Sequence, residues 1–303
     1  MYEQIAKNKR RSLLLVLAVL AIAVALGYVF GLLFDFGIGG IVIAFLIAGG
    51  MSWYSYRYGD RLVLRVSRAR PAPREEHAQL HNVVEGLAIA AGIPPPEIYV
   101  IPEKAPNAFA TGRDPEHASV AVTDGLLETL NRVELEGVMA HELAHVRNRD
   151  VLVGTLAATL VGVVVLLAEF MRRAFFWGGV GGGRRGGGRG GPGGAAALVI
   201  AVGLLLSILA PLGAQLIRLS LSRRREFLAD ADGALLSRYP PGLSSALRKI
   251  AANTQPMRST NNATAHLWLS KPSATPGAGF TRWERLFSTH PPIEERIRIL
   301  DEM

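Results

Sequence analysis

Residues 131–150 read NRVELEGVMAHELAHVRNRD, and His141-Glu142-Leu143-Ala144-His145 stands at their centre. On a helix His141 and His145 are one turn apart, so both imidazoles leave the same face and can share one metal ion. Glu142 is rotated by about 100° from His141, which puts it beside the open position of such a metal as a general base. Asn131, with Glu134 three residues later, reads as an N-cap with a capping box, so the helix opens there. It is expected to run straight on into the apolar stretch that begins at Val151, which would hold the site close to a membrane surface.

That apolar stretch is one of four. Ser12–Phe34, Gly37–Tyr56, Val151–Phe170 and Ala195–Ile217 are each near the ~20 residues that cross a hydrocarbon core, and together they carry one charge, Glu169. With hydrophobic residues making up 50% of the chain, this composition points to a membrane protein. Lys7, Lys9, Arg10 and Arg11 precede the first run, which is too long for the apolar core of a signal peptide and is followed at once by a second. Trp53, Tyr54, Tyr56 and Tyr58, then Arg57, Arg61, Arg65, Arg68 and Arg70, mark the exit of the second run on the cytoplasmic side. The net charge of +8 is thus placed largely beside membrane exits. No cysteine is present, which excludes a disulfide framework and a thiol nucleophile.

The chain accordingly divides into an N-terminal hairpin (1–58), a polar part (59–150), a second hydrophobic hairpin (151–217) and a polar tail (218–303). In the first polar part a helix is expected over Arg74–Ala91, ending near Gly92, followed by strands at Glu97–Ile101, Asn107–Thr111 and Ser119–Thr123. The Gly/Arg-rich run 178–194 reads as a flexible linker rather than a nucleic-acid-binding segment, although its arginines sit against the positive-inside tendency if the hairpin spans.

Two histidines leave a catalytic zinc short of a third protein ligand. The best candidate is Glu226 in Ser222-Arg223-Arg224-Arg225-Glu226-Phe227-Leu228-Ala229-Asp230. Glu226 and Asp230 are four apart and share a helix face, so one can bind metal while the other holds a ligand imidazole by its second nitrogen. His77 and His81 repeat the spacing, but Ala78 stands where the glutamate would be, and they read as ordinary helix residues. His117 and His266 have no evident partners.

Asn107-Ala108-Phe109-Ala110-Thr111-Gly112, His141 through His145 with Asn148 and Asp150, Glu226 through Asp230, and Thr289-His290-Pro291-Pro292 with Arg296 together resemble the HtpX family of membrane-bound zinc metalloproteases, relatives of the CAAX prenyl proteases. The resemblance covers the polar parts from about Arg74 to the C-terminus, and the Gly/Arg-rich run departs from it. It implies one zinc per chain held by His141, His145 and Glu226, with Glu142 as catalytic base and Asp230 supporting a histidine ligand. It also implies that Asn107, Ala108, Phe109 and Ala110 form an edge strand to which an extended substrate adds. For His290 two readings stand: a residue near the metal or the oxyanion, or a structural histidine ahead of Pro291-Pro292.

The expected architecture is a mainly α membrane protein: a zincin-like (gluzincin) metalloprotease domain with a small β-sheet, fused to two transmembrane hairpins. The expected activity is zinc-dependent endopeptidase cleavage of damaged or misassembled membrane proteins at the cytoplasmic face of a bacterial inner membrane. Membrane lipids are expected partners and nucleic acid is not. The alternatives are a prenyl-protein (CAAX-type) protease, which carries more spans, an intramembrane site-2-type protease, which does not flank its motif with charges such as Glu134, Glu136, Arg147 and Arg149, and a non-catalytic membrane adaptor.

Overall fold

Two long helices begin the chain, α1 (Tyr2–Leu33) and α2 (Ile38–Val66), packed against each other. They belong to a computed structural model that describes residues 2–33, 37–160, 223–253, 255, 257, 264, 267–270 and 291–303. Among the described residues no helix is long and apolar enough to cross a membrane. The described side chains nevertheless give α1 and α2 an exposed apolar surface, with Leu13, Leu14 and Leu17 on one helix and Val42, Ile43, Phe45, Leu46 and Ile47 on the other. Of the second hairpin only its first ten residues fall among those described. The Gly/Arg-rich run and His290 lie outside them.

After α2 come β1 (Arg70–Pro71), α3 (Ala78–Ala91), β2 (Glu97–Ile101), β3 (Ala108–Gly112), β4 (Ala118–Thr123) and α4 (Asp124–Thr129). The strand order is β1-β2-β4-β3, with β2 and β4 parallel and the outer pairs antiparallel, so β3 is an edge. The helix expected from Arg74 starts four residues later. Glu76 and His77 both donate backbone N–H groups to the Pro73 carbonyl, which closes a turn ahead of α3. Its end is where the sequence places it, with Gly92 left-handed at φ 67.

The helix α5 (Arg132–Arg147) carries the motif and opens on the expected capping box: Asn131 Oδ1 accepts from the Val133 and Glu134 amides, and the Asn131 amide donates to the Glu134 carboxylate at 2.9 Å. The same Glu134 accepts from Ser245 and Lys249, which ties the start of α5 to α8 (Pro240–Ala252). The expectation that α5 continues unbroken is corrected. Asn148 and Arg149 form a turn, Arg149 is left-handed at φ 57, and a new helix, α6, begins at 150 and is helical through 160, the last described residue of this stretch. This break lets Asp150 turn back towards His145.

α5 lies between the sheet, α3, α8 and α7 (Arg223–Ser237). Leu135, Val138, Met139 and Leu143 bury one face of it against Leu80, Val84 and Leu87 of α3, Val120 and Val122 of β4, and Leu243 and Leu247 of α8. Each such side chain contributes about 1.5–3 kcal/mol of burial. Arg296 on α9 (Ile293–Asp301) reaches the same interior. Gly233 sets the approach of α7: a Cβ there would stand 2.9 Å from the His141 amide nitrogen. Gly233→Ala is therefore expected to push α7 off α5 and to cost about 1–3 kcal/mol in chemical denaturation. An unchanged unfolding midpoint would remove this contact as a constraint.

Candidate metal centre

α5 and α7 present their functional side chains to each other. His141 Nε2 and His145 Nε2 are 3.2 Å apart, and the rings stand almost perpendicular at 89°. Glu226 enters from the first turn of α7, with one oxygen 3.8 Å from His141 Nε2 and the other 3.7 Å from His145 Nε2. Among the described residues these three form a group that could hold a metal ion.

Each imidazole is fixed from behind. His141 Nδ1 is 2.9 Å from Asp230 Oδ1, and His145 Nδ1 is 3.0 Å from Asp150 Oδ2. Donating Nδ1–H to a carboxylate leaves Nε2 as the lone-pair nitrogen, so both lone pairs are aimed at one point. The two carboxylates are each held by an arginine. Arg296 grips Asp230 through Nε at 2.8 Å and Nη2 at 2.7 Å, and Arg225 Nη1 donates to Asp150 Oδ1 at 3.1 Å. Arg296 Nη2 also lies 3.4 Å from both nitrogens of His141, the position of a cation against a ring rather than of a directed hydrogen bond.

The donor set suits zinc. Ligand atoms of a tetrahedral zinc with bonds of ~2.0–2.2 Å stand roughly 3.3–3.5 Å apart, and the observed separations of 3.2, 3.7 and 3.8 Å lie around that value. Charge agrees. Glu142, Asp150, Glu226 and Asp230 are buried carboxylates, set against two buried arginines, Arg225 and Arg296. With neutral histidines that leaves an excess of two negative charges, which a dication balances. The protons respond to the same excess. Burial alone would lower His145, but the Asp150 hydrogen bond and the charges of Glu226, Asp150 and Glu142 lift it to about 9. Burial raises Glu142 against the opposing pull of His141 and His145. Burial would also raise Asp230, yet Arg296 brings it down to about 2. A metal that takes the Nε2 lone pair of His145 must displace a proton held there below pH 9. Zinc binding at pH 8 is therefore expected to release a proton from His145 beside any lost by the zinc-bound water, read from the dependence of calorimetric heats on buffer ionisation. No proton release at pH 8 would contradict a proton held on His145 in the metal-free chain.

The remaining expected residues lie on β3, just ahead of it at Asn107, or outside the described residues. Asn107 pairs inward with Thr123 of β4, so alternation turns the backbone groups of Ala108, Ala110 and Gly112 to the outer edge. The chain itself reaches that edge: Leu269 N donates to the Ala108 carbonyl at 2.9 Å, and the Asn107 side chain exchanges two hydrogen bonds with the Ser270 backbone, at 2.9 and 3.1 Å. Phe109 is buried, edge-on to Trp268 at 4.8 Å. At the far end the Gly112 amide donates to Thr155 Oγ1. Ala110 lies between these two anchorages.

Residue type alone gives Asp150, Arg225 and Arg296 no role. Asp150 stands across the turn at Asn148 and Arg149, which no glycine or proline signals. Arg225 is hidden in a run of arginines. Arg296 belongs to a motif in which nothing local names its partner.

The chain is similar to a known family, to several relatives and to a solved structure. The model of "Peptidase family M48" matches residues 74–303. A "Protease HtpX homolog" of Thermoanaerobacter pseudethanolicus is 46% identical over 303 residues, covering all of this chain and 98% of the relative. One of Pyrococcus furiosus is 46% identical over 292 residues, covering 96% and 94%. The crystal structure of S. mikatae Ste24p is similar with a TM-score of 0.51 at 19% identity, covering 99% of this chain and 67% of that one, a likeness of fold.

Proposed function

This chain belongs to peptidase family M48 and is an HtpX-type metalloprotease; from that premise we propose that it is a membrane-bound, zinc-dependent endopeptidase acting on damaged or misassembled membrane proteins at the cytoplasmic face of a bacterial inner membrane. The observation that carries the metal assignment is the convergence of His141 Nε2, His145 Nε2 and the Glu226 carboxylate on one point, with both Nδ1 atoms held by carboxylates. A zinc held there supplies Lewis acidity to a peptide carbonyl and makes water nucleophilic near neutral pH.

The chain's own residues supply the rest. Glu142, buried on the same turn of α5, accepts the proton of the attacking water and passes it to the leaving amine. Burial raises its pKa, which suits a carboxylate that must hold that proton between the two steps. Asp230 and Asp150 keep the imidazoles in the ligand tautomer, and Arg296 and Arg225 keep those carboxylates ionised. The outward edge of β3 at Ala110 is the place for one stretch of extended substrate, next to the segment already seated on Asn107 and Ala108.

Membrane attachment rests on the exposed apolar surface of α1 and α2. Below it Trp53, Tyr54 and Tyr56 are exposed, and Arg57 and Arg61 lie 5.3 and 5.7 Å from the Tyr58 ring. Aromatics followed by arginines suit a cytoplasmic interface with anionic lipid. In this reading 1–58 is an anchor, 59–150 and 218–303 form the protease, and 151–217 is a hydrophobic hairpin between its halves.

Metal removal tests it. Dialysis of detergent-purified protein against a chelator is expected to abolish casein hydrolysis, and stoichiometric zinc to restore it. At zinc a thousandfold above its dissociation constant the folded chain gains about 4 kcal/mol, seen as a raised Tm. Hydrolysis by a preparation stripped of zinc would overturn the reading. Cleavage of a prenylated peptide in preference to casein would move the substrate class to the prenyl-protein alternative.

A further inference from the structure

We propose that Asn8, in the basic opening turns of α1, is a positioning residue of the metal centre, acting through Asp150 on His145. The inference rests on His145 being a zinc ligand, as above. Asn8 is 1% exposed, although it is flanked by Lys7 and Lys9 and lies far from the motif in sequence. Its Nδ2 donates to Asp150 Oδ1 at 2.7 Å and to the Asn148 carbonyl at 2.9 Å. Both amide hydrogens are thereby used, each on one of two buried acceptors that flank the turn between α5 and α6. A hydroxyl has one hydrogen to offer and an apolar side chain has none.

Asp150 divides its oxygens between two tasks. Oδ2 takes the Nδ1–H of His145, while Oδ1 is shared by Asn8 and Arg225. Without Asn8 one donor is lost from Oδ1 and the Asn148 carbonyl loses a partner, so both the carboxylate plane and the turn that delivers it are released. The Asn8 Oδ1 atom finds no partner among the described residues. A buried amide with one end unsatisfied is costly, which argues that its other end is what the site requires.

α1 is also seated by apolar packing: Leu15, two turns further along α1, packs on Val153 of α6. The match to the family model begins at residue 74, so Asn8 reaches the metal centre from outside the matched part. The first helix is then part of the catalytic unit as well as its anchor.

The experiment compares zinc affinity, by chelator competition, for the full-length detergent-solubilised chain and for Asn8→Leu, Asn8→Asp and Leu15→Ala. Loss of a carboxylate behind a ligand histidine weakens metal binding by 10–100-fold; Asn8 acts one bond further out, so Asn8→Leu is expected to weaken it by about 10-fold. Hydrolysis by that variant should be lost at limiting zinc and largely recovered at saturating zinc. Asn8→Asp keeps the side-chain shape, sets a carboxylate against Asp150, and should weaken zinc further; it decides the matter if Asn8→Leu does not fold. Leu15→Ala should stay within about twofold of wild type. Unchanged affinity in both Asn8 variants overturns the proposal, as does an equal loss in Leu15→Ala, which would make Asn8 a docking contact only. A wild-type chain that binds no zinc removes the functional reading and this one with it.

Discussion

Glu142→Gln is expected to retain zinc and to lose hydrolysis by a factor of roughly 10²–10⁴, the usual contribution of a positioned acid–base group. Glutamine has the shape of glutamate and fits the same buried position on α5, but its amide cannot accept the proton of water. None of the proposed ligand contacts passes through Glu142: His141 and His145 are held by Asp230 and Asp150. The check is zinc content and casein cleavage of wild type and variant purified side by side. Full activity in the variant would move the base elsewhere. Loss of zinc together with activity would show that Glu142 acts by holding the metal.

The largest expected effect on stability belongs to Arg296→Met. Arg296 is 1% exposed and makes two hydrogen bonds to Asp230 and one to the Leu269 carbonyl. Removing one partner of a buried ion pair leaves the other charge uncompensated and costs about 3–5 kcal/mol. Here that partner is Asp230, whose carboxylate burial alone would drive towards the protonated form. A protonated Asp230 is a weaker support for His141, so zinc affinity should fall along with stability. The double variant Arg296→Met with Asp230→Leu should regain much of the lost stability, because no buried charge is then left alone, while zinc affinity stays low. Equilibrium unfolding with zinc measured in parallel separates the two. A single variant as stable as wild type would place Arg296 outside the buried network.

The helix that carries the motif and the three candidate metal ligands are legible in the sequence because each is written in a local period. His141 and His145 share a face by spacing alone, and the capping box at Asn131 and Glu134 announces the helix start. Glu226 and Asp230 pair on one face for the same reason. Strands β2, β3 and β4 are marked by the turn residues between them, to within one residue at their ends. β1 is not, because two residues pairing with β2 through Arg70 and Pro71 have no period of their own. The break between α5 and α6 is hidden because Arg149 adopts a left-handed backbone that arginine does not advertise. The contacts built on that break, Asp150 behind His145 and Asn8 behind Asp150, are tertiary, set by how α1 and α6 pack. The occupation of the β3 edge by Leu269 and Ser270 is of the same kind.

The central claim is that His141, His145 and Glu226 hold one zinc ion. X-ray absorption at the zinc edge of the loaded, detergent-purified chain tests it most directly. The predicted spectrum has two imidazoles and light oxygen donors at ~2.0–2.2 Å, one zinc per chain, with the second-imidazole signal lost in His145→Ala. A spectrum fitted by three or more imidazoles, or one unchanged in His145→Ala, would contradict the account.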